Sequence, residues 1–61
     1  MNEIVTILMT RDGMSQKEAE ELVVEARTQL KEYLLSGDIY SAYDICEEFF
    51  GLEPDYVFEL L

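Results

Sequence analysis

Asp44, Glu47 and Glu48 stand at i, i+3 and i+4, a spacing that would gather three carboxylates on one patch of a helix. Two kinds of chemistry use such a group. A hard cation takes about six to eight oxygens, drawn from a loop of alternating acids around a glycine turn, and no stretch here has that layout. Paired carboxylates also serve acid/base catalysis when burial raises the pKa of one of them, but these three fall where periodicity predicts solvent. The chain has no His and one Cys, so zinc and transition-metal sites are poorly supplied. Nor is there a Ser or Cys nucleophile beside a base, or a glycine-rich phosphate loop. The expectation is a chain without catalytic residues, metal or cofactor.

Cys46 falls on an apolar face with Ala42 and Phe49, as a small core residue does. Neighbouring acids would hold its thiol protonated and unreactive. A single cysteine cannot form an intrachain disulfide, and an unstapled secreted domain of this size is unusual, so a reducing, cytoplasmic setting is expected. The N-terminus lacks a basic segment ahead of its short apolar run Ile4 to Met9, unlike a signal peptide, and no run can span a bilayer.

Charge and aromatic rings concentrate at the other end. Residues 37–61 hold seven acids (Asp38, Asp44, Glu47, Glu48, Glu53, Asp55 and Glu59) and no base, which is seven of the ten units of net negative charge. They also hold six of the seven aromatics: Tyr40, Tyr43, Phe49, Phe50, Tyr56 and Phe58. Four bases in the whole chain argue against direct binding to nucleic acid or to anionic membranes. A helix-turn-helix built from residues 16–50 would present Asp44, Glu47 and Glu48 to DNA and be repelled. Interleaved acids and rings instead suit a protein partner with a basic surface, because charge speeds encounter and rings supply affinity once water leaves. The residues expected to make that contact are Asp44, Glu47, Glu48, Glu53, Asp55 and Glu59, with Tyr40 and Tyr56; two or three rings should stay accessible.

Four short elements must position these groups. Gly13, Gly37 and Gly51 each follow a periodic apolar segment, where a left-handed residue ends a helix. Residues 3–12, with Asn2 as N-cap, read as a helix with Ile4, Ile7 and Leu8 inward. The β-branched run Ile4-Val5-Thr6-Ile7 also suits a strand paired across a homodimer, but no second strand candidate exists in the chain. Ser15 and Glu18 form a capping box for the longest helix, 16–36, with Ala19, Leu22, Val23, Ala26, Leu30, Tyr33 and Leu34 inward. Asp38 caps a third helix, 39–50, with Ile39, Ala42, Tyr43, Cys46, Phe49 and Phe50 inward. Pro54 suits the first position of a last short helix, 54–61, from which Tyr56, Val57, Leu60 and Leu61 fold back. The sum is an all-α fold: one small domain, 1–61, of three to four helices joined by glycine-containing turns.

The segment from Cys46 to Leu61, CEEFFGLEPDYVFELL, resembles the tails of small acidic helical proteins encoded by phages and prophages. The resemblance covers about the last quarter of the chain, and that group brings no activity and no binding residue to carry over. It implies a context, in which a small protein of a mobile element acts in the host-cell cytoplasm by binding a host or viral protein. A modulator that mimics nucleic acid on a basic surface fits that context. The rival expectation is a homo-oligomeric assembly protein, motivated by apolar residues that the inward stripes leave over: Val5, Val24, Leu35, Phe58 and Leu61.

Overall fold

The computed structural model describes residues 2–61, which are all-helical: α1 Glu3–Asp12, α2 Gln16–Leu35, α3 Ile39–Tyr43, α4 Ile45–Phe50 and a closing 3-10 helix, Pro54–Glu59. Residues 3–12 are therefore helix and not strand. The start signals act as their chemistry dictates. Asn2 Oδ1 accepts from the Ile4 N–H at 2.7 Å, and Asp38 accepts from the Ser41 N–H at 3.1 Å. Ser15 and Glu18 satisfy each other's backbone N–H groups, completing the capping box. At the other ends, Gly13 and Gly51 adopt φ of 69° and 66°, where a side chain would be strained.

α2 is the spine, 20 residues long in a molecule of 33 × 19 × 16 Å. At about 1.5 Å per residue it runs nearly the full length. α1 folds back along it, α3 and α4 pack on its second half, and the 3-10 helix packs on α4 and returns to α1. The core is a single cluster: Ile4, Val5 and Leu8 of α1; Ala19, Val23, Ala26 and Leu30 of α2; then Ala42, Ile45, Cys46, Phe50 and Leu60. Val5 was expected among the surplus apolar residues, yet it is buried; α1 turns its Ile4–Val5 edge inward and leaves Ile7 half-exposed.

The third helix differs from the continuous 39–50 helix expected. It breaks at Asp44, whose φ of −87° and ψ of 1° lie between helical and extended backbone. Ile45 is fully buried beside Cys46, while Ile39 and Tyr43, expected inside, are 61% and 58% exposed. Ala42, Ile45, Cys46, Phe49 and Phe50 keep 3-and-4 spacing through Asp44, so the inward face is rotated from the expected one, toward Ile45 and away from Ile39 and Tyr43. The last segment is also tighter than an α-helix and ends at Glu59. Tyr56, Val57 and Leu60 do fold back, but Leu61 points out. On α2, Leu34 is exposed where the stripe placed it inward.

Candidate binding surface

The eight residues singled out for partner contact fall into two groups. Tyr40, Asp44, Glu47 and Glu48 share the α3–α4 arm, and all four are exposed. Tyr40 and Asp44 are one turn apart, with the Asp44 N–H donating to the Tyr40 carbonyl at 3.1 Å. Glu53, Asp55, Tyr56 and Glu59 line a different place, a shallow open depression of about 350 Å³ completed by Glu3 and Phe58. Among the described residues no three acidic side chains converge closely enough to hold a cation.

Most of this negative charge has a local use. Asp38 caps α3, and Ser41, through its side chain and its backbone N–H, holds the Asp38 carboxyl below its ordinary value. Asp55 occupies the first turn of the 3-10 helix, while Glu53, its N-cap residue, makes no side-chain capping bond. Glu59 accepts from the Glu3 N–H at 3.2 Å, placing its carboxylate against the N-terminal end of α1. Glu47 and Glu48 sit in the first turn of α4, while Asp44, its N-cap residue, makes no side-chain capping bond. Negative charge is favoured at such ends. Glu48 is also reached by the Tyr33 hydroxyl, 3.4 Å from either carboxylate oxygen. Desolvation, and then the Glu48 charge, push the Tyr33 phenol upward.

Both arginines serve the complementary ends, which composition alone does not reveal. Arg11 grips Asp12 with two nitrogens and donates from Nη2 to the Phe50 carbonyl at 2.6 Å, at the C-terminal end of α4. The pairing holds the Arg11 pKa above and the Asp12 pKa below their ordinary values. Arg27 Nε donates to the Leu60 carbonyl at 2.9 Å, just past the 3-10 helix. Cys46 is fully buried, and burial pushes its thiol upward, away from the reactive thiolate.

No known family, curated protein or solved structure matches the chain.

What folding does not use is the elbow where α2 meets α3. Leu35 is 88% exposed and Tyr40 89%, and Ile39 and Tyr43 join them. Ile39 and Tyr43 are four residues apart on α3, Tyr40 and Tyr43 three, so the rings and the isoleucine share one side of a short helix. Asp38, Asp44 and Glu47 flank them, and neither α3 nor α4 contains a base. Helical periodicity predicts Ile39 and Tyr43 in the core, and their exposure in the structure brings them into this surface instead. Three rings are exposed in all among the described residues: Tyr40, Tyr43 and, on the other acidic depression, Phe58. No helix among the described residues is long and apolar enough to cross a membrane.

Proposed function

We propose that this chain is a non-catalytic protein-binding module, a small helical bundle whose α2–α3 elbow docks on a partner with a basic surface. One observation carries the reading: Ile39, Tyr40 and Tyr43 are exposed on the α3–α4 arm, which carries carboxylates and no base, and Leu35 is exposed at the end of α2 just before it. Large apolar and tyrosine side chains of this kind supply the buried centre of an interface, and like-signed charge around them selects the sign of the partner. Asp44, Glu47 and Glu48 meet basic side chains that would otherwise contact phosphates, so the module competes with nucleic acid for its target. In the setting that the C-terminal resemblance implies, it is a phage-encoded modulator acting in the host cytoplasm.

Site-specific photocrosslinking tests this. A photoreactive residue at Tyr40 should give a discrete adduct in cells, and neutralising Asp44 and Glu47 to Asn and Gln should abolish it. The same probe at Glu25, on the far side of α2, serves as the control. An identical adduct pattern from both positions would contradict the proposal.

A further inference from the structure

A second apolar surface lies along α2, with the opposite charge. Arg27 and Lys31, one helical turn apart, face an open depression of about 500 Å³ whose remaining walls are Leu30, Leu34, Leu60 and Leu61. Arg27 is anchored by its bond to the Leu60 carbonyl, which fixes a cation at the edge of the groove. Lys31 is exposed, and Leu34 and Leu61 are 44% and 76% exposed. On a chain of net charge −10, two cations beside exposed leucines make a local inversion of the prevailing field.

Groove and elbow are thus both apolar, and their charges are complementary. A two-fold contact of elbow on elbow would set Asp38, Asp44 and Glu47 against their own copies, and groove on groove would oppose the two Lys31 side chains. Like charges facing one another across an interface are strongly unfavourable. A contact of elbow on groove avoids both clashes, whether it closes as a two-fold pair or runs on from copy to copy. We infer that the chain self-associates with the elbow of one copy (Ile39, Tyr40, Tyr43 and Asp44) seated in the Arg27–Lys31 groove of another. This rests on the elbow being a contact face, and it adds the groove and the occupant. A basic partner and a neighbouring copy then compete for one elbow, so partner binding disassembles the self-associated form. The net repulsion between copies is screened over about 8 Å at physiological ionic strength, whereas pairs in contact persist.

The elbow-on-groove contact has its own signature in sedimentation velocity on the whole chain at physiological salt. Lys31→Glu disables the groove and keeps the elbow; Tyr40→Asp disables the elbow and keeps the groove. Wild type should sediment faster as its concentration rises from micromolar to millimolar, and each variant alone should remain monomeric. An equimolar mixture of the two variants should form a dimer and nothing larger, because one intact groove meets one intact elbow. Circular dichroism confirms that both variants fold; if either loses its helical signal, Lys31→Ala or Tyr40→Ser replaces it. A monomeric wild type, or a mixture that stays monomeric, would overturn the inference. If the elbow still gives its photocrosslinked adduct in that case, the binding reading stands and only the groove is lost. If Tyr40→Asp self-associates as wild type does, the elbow is not the contacting face and the inference fails.

Discussion

Asn2 and Glu59 hold the two ends of the described chain together. Asn2 Nδ2 donates to the Glu59 carbonyl at 2.8 Å, while Glu59 Oε1 accepts from the neighbouring Glu3 N–H at 3.2 Å. The N-cap of the first helix is therefore also the tie for the last, and a carboxylate from the far end of the sequence completes the first turn of α1. In a chain of 61 residues with a thin core, such ties replace part of what apolar burial supplies in larger domains.

Asn2→Asp should separate the two roles of the amide. Asp is as good an N-cap as Asn, so helix capping survives, but the donor to Glu59 is lost and a second carboxylate faces that carbonyl. Asn2→Asp should melt below wild type at neutral pH, and Asn2→Ala, which also loses a cap worth about 1 kcal/mol, should melt lower than wild type as well. For a domain this small, about 1 kcal/mol corresponds to roughly 4–8 °C in thermal denaturation. An Asp variant as stable as wild type would show that the tie to Glu59 contributes nothing.

The inward face of α3 and α4 is tested by two isoleucines, one expected inside from the sequence pattern and the other outside the expected stripe. Ile45 is fully buried and Ile39 is 61% exposed. Ile45→Ala should cost about 2–5 kcal/mol, as truncations in a packed core do. Ile39→Ala, made at the surface, should stay within about 0.5 kcal/mol of wild type. Urea denaturation of the two variants decides it, and a reversed order would restore the expected face, with Ile39 inside.

Acid stability should depend on the capping carboxylates. Glu18, which accepts from the Ser15 backbone N–H, and Asp38, held by Ser41, both have folded-state pKa values lowered below ordinary. Such a group binds its proton more readily in the unfolded chain. The stability it contributes is therefore present above the ordinary carboxylate pKa and is lost as pH falls through the lowered folded value. Wild type should melt above Glu18→Gln at neutral pH, and the gap should close as the pH drops below about 4. A gap that is constant from neutral to acid would mean that the Glu18 charge is not what caps α2.

Gly51 ends α4 at φ 66° with open space where a side chain would project. Gly51→Ala should therefore destabilise through backbone strain alone, by about 1 kcal/mol, because a left-handed residue with a Cβ carries that cost. Gly51→Asn should lose less, since Asn tolerates this region. Thermal melts of the pair check it; equal losses would point to a clash instead.

The start and stop signals were legible in the sequence because they are local: Asn2, Ser15 with Glu18, Asp38, Pro54 and the glycines each act within a few residues of where they stand. The face of α2 was legible for the same reason, through Ala19, Val23, Ala26 and Leu30. The break at Asp44 was not. Ile39 and Ile45 are alike as residues, and α4, which carries the buried Ile45, packs on α2, a contact between residues far apart in sequence. Ile39 and Tyr43 lie at the elbow and not in the expected core. The turn at Asp44 also places Glu47 and Glu48 in the first turn of α4. The roles of Arg11 and Arg27 were equally hidden, because their acceptors, the Phe50 and Leu60 carbonyls, lie 39 and 33 residues away.

The most direct test of the elbow as the contact face is a nitrogen-15 NMR titration of the whole chain with a synthetic amphipathic helix of leucine and lysine at physiological salt. Saturable shifts should concentrate on Leu35 to Glu48 and vanish in Tyr40→Asp, leaving Glu53, Asp55 and Glu59 little changed. Shifts spread evenly over all the carboxylates, and unaltered by Tyr40→Asp, would contradict the account and reduce the binding to undirected attraction between opposite charges.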